Sequence, residues 1–303
     1  MPITLPSLSR RRLFVEAFAA ACAVASVRIH RSLAQDPSAP ESWVLFSDTH
    51  IPADRELSVR GVKCVESFKT CVSAALEWQK NPSGVLVCGD CAHKTGELAD
   101  YEVFADVVRP LRGAGAPVHL LLGNHDDREH FMEVLGKERN VPSPVEQRHV
   151  ALVEGDHANW FLLDSLEKVN STPGLLGSGQ LGWLEKALDS HGDKPAIVML
   201  HHDIPAGSGK LGLQDHAELL GILRPRKQVK ACFYGHTHAW GVRRDESGIH
   251  LINLPSVAAA FWPMNPRGWV RADLRRDSLK LELRCVDVAH PKHGEVHELE
   301  WRS

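Results

Sequence analysis

Trp43-Val44-Leu45-Phe46-Ser47-Asp48-Thr49-His50 is an apolar run too short for a helix, and it closes on a carboxylate and an imidazole two residues apart. Bounded by polar sequence, Trp43–Ser47 reads as a buried strand with Asp48 at its carboxyl end. The i, i+2 spacing of Asp48 and His50 projects both side chains to one side of an extended backbone. The arrangement recurs along the chain. Gly84–Cys88 delivers Gly89-Asp90, and Val118–Leu122 delivers Gly123-Asn124-His125-Asp126. Ala196–Leu200 delivers His201-His202, and Val229–Tyr234 delivers Gly235-His236-Thr237-His238. Helical patterns at Val59–Gln79 and Glu97–Leu111 separate the first three strands. This β-α-β-α-β rhythm predicts an α/β fold with a mainly parallel sheet, its functional residues collected beyond the strand carboxyl ends.

The second half continues the pattern with more strands. His149–Glu154 and Trp160–Leu163 are expected to pair antiparallel across a Gly-Asp turn. Gln180–His191 is an amphipathic helix with Leu181, Leu184 and Leu188 on one face, and Gln214–Leu223 is a further helix. Strands around His250–Asn253, Trp269–Leu274, Leu279–Val286 and Val296–Trp301 close the domain.

The chemistry of the five blocks is coherent. Carboxylate and amide oxygens favour hard cations, whereas neutral imidazoles suit zinc, iron and manganese, so the mixed set points to transition metals. No cysteine belongs to the blocks beyond the neighbours of Asp90, which argues against a thiolate structural zinc site. Two ions roughly 3.5–4 Å apart need a bridging ligand, and a carboxylate with two oxygens supplies it. Such a pair lowers the pKa of a shared water and holds phosphoryl oxygens.

These blocks resemble the calcineurin-like metallophosphoesterase superfamily, with its pattern D-x-H, G-D, G-N-H-[DE], H and G-H-x-H, over about residues 42–290. The run Gly-Asn-His-Asp-Asp-Arg at 123–128 is most similar to the branch of class III cyclic-nucleotide phosphodiesterases and glycerophosphodiesterases. The resemblance implies two facing β-sheets flanked by helices on both sides, a four-layer sandwich. It implies two divalent or trivalent ions (Fe, Mn or Zn): Asp48, His50 and His238 on the first, Asn124, His201 and His236 on the second, Asp90 bridging. His202 is then a partner behind the ligands rather than a ligand. His125 is implied to contact phosphate or protonate the leaving oxygen, oriented by Asp126, with a metal-bridging hydroxide as nucleophile. Purple acid phosphatases fit less well, because they carry Tyr where His93 stands and D-x-G where the first block ends in His50. Phosphoprotein phosphatases also fit less well, because Gly89-Asp90-Cys91-Ala92-His93-Lys94 lacks their arginine.

The expected activity is phosphodiester hydrolysis of a small ester, with phosphomonoester hydrolysis as the alternative. A non-catalytic scaffold of the same fold is the rival of a different kind. Every expected ligand position is filled, which disfavours it.

The chain has 303 residues, 43% of them hydrophobic, compatible with one α/β domain over 43–303. Residues 1–34 carry five Arg against one Glu; without them 30 basic face 37 acidic residues, a net charge of −7. A mildly acidic surface speaks against a broad nucleic-acid interface. Ser9-Arg10-Arg11-Arg12-Leu13-Phe14 resembles a twin-arginine export motif, with a short apolar stretch from Leu13 to Val27 and Ser32-Leu33-Ala34 as a cleavage site. A leader (1–34), a polar linker (35–42) and an exported, periplasmic or extracellular bacterial protein are therefore expected, with no membrane span in the mature chain.

Six cysteines follow the leader, an even number that permits disulfides without requiring them. Cys64 and Cys71 lie about two helical turns apart, ~10 Å, too far to bridge. Cys88 and Cys91 match C-x-x-C, but read more simply as a strand end and a packing residue; Cys232 reads as core. Arg128 is left open between a substrate contact and an acid pair. Residues 203–216 read as a solvated loop, with a lid bringing Lys210 to phosphate as the sharper alternative. Phe261-Trp262-Pro263-Met264 reads as core, or as a wall for a nucleobase. His93, His130, His157, His216, His290, His293 and His297 are expected at the surface.

Overall fold

The computed structural model describes residues 3–5, 26–28, 39–79, 81–136, 142–204 and 211–303. Among these, two seven-stranded sheets form. The first runs β1 (Ile3–Leu5), β7 (Val118–Leu120), β6 (Gly84–Val87), β3 (Glu41–Phe46), β14 (Gly268–Leu274), β15 (Ser278–Cys285), β16 (Val296–Glu300). The second runs β12 (Gly241–Arg244), β13 (His250–Asn253), β11 (Val229–Tyr234), β10 (Ala196–Met199), β9 (Asn159–Leu162), β8 (Ala151–Glu154), β2 (Ser26–Arg28). Strands β3, β6 and β7 are mutually parallel, and so are β9, β10, β11 and β13. These central strands carry the ligand blocks at their carboxyl ends.

Strand alternation explains the layering. Trp43, Leu45 and Leu86 join Trp160, Leu162, Met199 and Phe233 in a core between the sheets. Their neighbours Val44, Phe46, Val85 and Val87 face the other way, against helices α1 (Cys64–Trp78), α2 (Leu98–Gly113) and α3 (Arg128–Leu135) through Phe68, Phe104 and Phe131. A third core joins Phe161, Val198 and Cys232 to α4 (Ser178–Ser190) and α5 (His216–Leu223). Three cores mean four layers, helices–sheet–sheet–helices, as the resemblance implies. The Trp43 and Trp160 rings, centroids 5.4 Å apart, tie the sheets together. Gly84 lies directly under the Trp43 ring, where any Cβ would overlap it.

Three expectations shift. Helix α1 starts at Cys64 rather than Val59, because Arg60 and Gly61 take left-handed φ values of 51° and 79° and turn a small hairpin, β4 (Ser58–Val59) and β5 (Val62–Lys63). Helix α3 was not expected: it is short and only half apolar, and its start is made by Asp127 accepting from the Glu129 and His130 amides. Strand β12 was not expected either, since Gly-Val-Arg-Arg lacks apolar alternation and only an edge position accommodates it. The six described cysteines are free and buried. No helix among the described residues is long and apolar enough to cross a membrane.

Strands β1 and β2 lie within the expected leader and occupy the outer edges of the two sheets, and β1 adds Ile3 and Leu5 to the core beneath helices α1 and α2. The rest of 1–34 and of the linker up to residue 38 lies outside the described residues, as does Lys210.

Fully buried His119 in β7 hydrogen-bonds Thr4 Oγ1 at 2.7 Å, and burial pushes its pKa down to about 3. The folded state resists a proton that the unfolded chain accepts near 6.5, so this group costs nothing above that pH and destabilises the fold progressively as pH falls toward 3. Between pH 6.5 and 5 the cost is about 2 kcal/mol. Urea denaturation of the full chain at pH 7 and pH 5 is expected to show wild type losing about that much more stability than His119→Asn. Equal losses would remove His119 from the acid response.

Candidate metal centre

Three of the five ligand blocks leave their strands through strained turns. Asp48, His50, Asp90, His236 and His238 all take positive φ, between 45° and 69°. For non-glycine residues this costs of order 1 kcal/mol each and persists only when surrounding bonds enforce it. Here the β3–β6 ladder continues into the loops: Asp48 N–H donates to Gly89 O (3.2 Å), His50 N–H to Asp90 O (2.9 Å) and Ile51 N–H to Cys91 O (3.0 Å). Ser47 Oγ donates to Asp48 Oδ2 at 2.5 Å, and the His236 amide donates to the same carboxylate at 3.2 Å. Two glycines permit the approach. A Cβ on Gly123 would land on Asp90 Oδ1, and one on Gly235 would overlap Ser47 Oγ and lie 2.6 Å from Asp48 Oδ2.

The side chains converge in overlapping trios. Asp48, His50 and His238 form one, Asp90, His201 and His236 another, and His50, Asp90 and His125 a third; ligand atoms within each lie within 4.8 Å of one another. The carboxylates are buried, as are His50, His201 and His238. Asn124 is buried beside them, and its Oδ1 has no hydrogen-bond partner among the described residues. The amide of His125, next in the chain, donates to Asp90 Oδ1 at 2.9 Å.

The tautomers follow from the partners. His201 Nδ1 faces Cys88 O at 2.7 Å and His238 Nδ1 faces Ala259 O; carbonyls only accept, so both Nδ1 atoms carry hydrogen. Their Nε2 atoms then point at oxygen: His201 Nε2 lies 3.3 Å from Asp90 Oδ2, and His238 Nε2 lies 3.3 Å from Asp48 Oδ1. His238 Nε2 is also 3.0 Å from His50 Nε2. In neutral imidazoles this is a convergence of lone pairs, which repel unless a cation or proton lies between them. The donor set, the free Asn124 oxygen and the anchored Nδ1–H groups all fit bound cations.

Electrostatics without a metal tell the same story. Burial works against the charged form of His201, yet the Asp90 carboxylate holds it well above the ordinary histidine value. Burial likewise opposes charge on His238, and Asp48 raises it. Asp48 and Asp90 resist the upward push of burial and lie below the usual carboxylate range because these imidazoles face them. His50, dominated by burial, is pushed down to about 3.

The neighbours of the ligands take up specific tasks. His202 is fully buried, with Nδ1 2.8 Å from Ser165 Oγ and its ring 4.8 Å from that of His236. The expected orienting role of Asp126 is corrected. His125 Nδ1 donates instead to Lys94 O at 2.7 Å, while Asp126, fully buried, accepts from the amides of Cys91 (3.2 Å), Ala92 (3.1 Å) and Gly123 (2.8 Å) and from Tyr101 Oη (3.1 Å). It clamps the Asp90 loop to the Asn124 loop. Burial, with Asp90 nearby, pushes its pKa up to about 6. Arg128 is settled as an acid partner: Nε and Nη2 grip Asp164 at 2.8 and 3.0 Å. The seven histidines expected at the surface are half-buried, several holding backbone carbonyls, as His130 does Gly96 O. Phe261, Trp262 and Met264 are exposed rather than core. The Phe261 ring stacks on His238, centroids 4.1 Å apart.

The sequence model of the family described as calcineurin-like phosphoesterase matches residues 43–240, well over half of the chain. The chain belongs to this family. It is a metallophosphoesterase, with a candidate two-cation His/Asp centre. It is 29% identical over 245 residues to a probable cyclic nucleotide phosphodiesterase of Synechococcus sp. (strain WH7803), covering 75% of this chain and 87% of the relative. It is 30% identical over 223 residues to the 3′,5′-cyclic adenosine monophosphate phosphodiesterase CpdA of Escherichia coli (strain K12), covering 72% and 76%. Its fold is similar to that of a dimetal phosphatase from Danio rerio, with a TM-score of 0.66 at 16% identity over 87% of this chain and 100% of that one.

Replacing Asp126 by Asn puts an amide NH2 against N–H and O–H donors. Because outer partners of ligand loops typically support metal affinity by 10–100-fold, Asp126→Asn is expected to weaken manganese binding by about that factor with native circular dichroism. Wild-type affinity in a calorimetric titration would show that the two loops hold without the clamp.

Proposed function

We propose that this metallophosphoesterase hydrolyses 3′,5′-cyclic nucleotides. The observation that carries the reading is a further histidine, His125, beside Asp90, the carboxylate shared by two of the trios, in a chain whose similar relatives are named cyclic nucleotide phosphodiesterases. Asp48, His50 and His238 would hold one cation and Asn124, His201 and His236 the other, with Asp90 beside both sets. Neutral nitrogens with two carboxylates suit manganese, iron or zinc. When bound, such a pair supplies an acidified water and positive charge for the phosphoryl oxygens.

The chain's own residues do the rest. Cys88 O and Ala259 O fix the ring planes of His201 and His238 through their Nδ1–H groups. Lys94 O takes the Nδ1 hydrogen of His125, which leaves Nε2 as the nitrogen that delivers a proton. Opening a cyclic nucleotide expels a ribose alkoxide, a poor leaving group that needs that proton. A p-nitrophenolate needs none. The scaffold reading is disfavoured by the filled ligand set, and phosphomonoester hydrolysis is the alternative outcome of a substrate comparison.

We further propose that residues 1–34 direct export. The mature chain recovered from the periplasm is expected to begin at Gln35 by mass; a chain that stays cytoplasmic with residue 1 retained would overturn this.

Asn124→Ala and Asp90→Ala are expected to abolish cyclic AMP hydrolysis while leaving the fold intact, whereas near-normal turnover would refute the ligand assignment. His125→Gln should lower kcat by roughly 10²–10⁴-fold on cyclic AMP, the usual range for general acid catalysis. The same variant should lose much less on bis(p-nitrophenyl) phosphate. Equal losses on both would assign His125 to phosphate contact instead. Wild-type cleavage of p-nitrophenyl phosphate in preference to the diester would move the chain to phosphomonoesters.

A further inference from the structure

Next to the metal centre lies a cavity of about 380 Å³ whose walls include Arg60, Phe261, Pro263, Asn265, Arg267 and Asp287. Its size falls within the roughly 300–1,000 Å³ of small-molecule sites. The cavity is joined to the centre by three contacts with one residue, His238. Phe261 stacks on the His238 ring at 4.1 Å and an interplanar angle of 11°, Asn265 Nδ2 donates to His238 O at 3.2 Å, and Ala259, also on the wall, takes the His238 Nδ1 hydrogen.

The Phe261 ring stacks on His238, and the Arg60 guanidinium lies 5.0 Å from the Phe261 ring centroid. Phe261 and Arg60 both line the cavity. Arg60 is held there by the left-handed turn of the β4–β5 hairpin and has no carboxylate partner among the described residues. A flat ring entering the cavity therefore meets the Phe261 ring and the Arg60 guanidinium, two groups on which nucleobases stack. Polar groups stand at the edges. Asn265 spends Nδ2 on His238 and keeps its carbonyl oxygen as an acceptor for an exocyclic amine. Arg267 spends Nη1 on Ala258 O (2.9 Å) and Ser67 Oγ (3.3 Å), with donors to spare.

We propose that this cavity is the subsite for the nucleoside of the substrate, with Arg60 as the stacking platform and Asn265 reading the base edge. This rests on the cyclic-nucleotide reading and assigns the base-recognising residues of that same site. The occupant is an uncharged purine nucleoside moiety, adenosine being the simplest probe.

The test separates the two readings. Adenosine is titrated calorimetrically into the full chain loaded with manganese, for wild type, Arg60→Ala and Ala260→Trp, the last filling the cavity from its wall. Binding to wild type is expected at millimolar concentration, weakened about tenfold or more in both variants, as the loss of one stacking contact implies. The kcat/KM ratio of cyclic AMP to bis(p-nitrophenyl) phosphate is expected to fall by about the same factor, through KM. Adenosine binding that is absent in wild type, or equal in all three proteins, overturns the subsite whatever the turnover. An unchanged substrate ratio overturns it too. Adenosine binding that depends on Arg60, in a protein that cleaves only the nitrophenyl ester, keeps the subsite and rejects cyclic AMP as the substrate.

Discussion

The structure is organised around two buried carboxylates, Asp48 and Asp90, that face imidazole nitrogens across about one hydrogen-bond length. With Nδ1 of His201 and His238 committed to backbone carbonyls, the opposing Nε2 atoms present lone pairs to carboxylate oxygens 3.3 Å away. Buried charge of this kind is costly unless compensated. Among the described residues the ion-pair partners of Asp48 and Asp90 are histidines rather than lysine or arginine. Cations are the compensation that this donor set accepts, and they are also the reagents of phosphate-ester hydrolysis. Fold and chemistry therefore impose one demand: keep these groups together against their repulsion.

The four layers meet that demand. Three separate cores press the two sheets into a rigid pair whose parallel strands end side by side. Beyond the strand ends the backbone ladder continues into the ligand loops, and this enforces left-handed conformations that isolated residues would leave. Asp126 then joins two of those loops, and the Arg128–Asp164 pair secures the start of α3 just downstream. Gly123 and Gly235 stand where any side chain would displace a carboxylate or its partner. The rigidity of the centre is thus distributed over buried bonds behind the ligands rather than residing in the ligands themselves.

The wall beyond His238 shows a different economy. Trp262 and Met264 are exposed at 70% and 77%, in a chain that buries most of its large apolar residues. Because Phe261 touches both His238 and Arg60, the stack couples the shape of that wall to the orientation of a metal-facing imidazole.

The α/β class, the central strands and the five ligand blocks are legible in the amino-acid sequence, because apolar runs of strand length ending in Asp, Asn or His advertise both burial and chemistry locally. The short edge strand Gly241–Arg244 and the half-apolar helix Arg128–Leu135 are not, since each exists through what it packs against. The same limit governs the site. That Asp126 neighbours His125 in sequence suggested an interaction, but the turn sends its carboxylate into the protein, and a carbonyl from Lys94, which no side-chain pattern reveals, takes the imidazole instead. Arg128 finds its acid 36 residues away, and Phe261 finds His238 across the loop that returns from β13. The sequence by itself determined which donor atoms the centre has, because ligand chemistry is a property of residue type. Only the tertiary structure decided which tautomers those donors adopt, what holds them and what lies beside them, because backbone carbonyls and approach distances exist only once distant segments are packed.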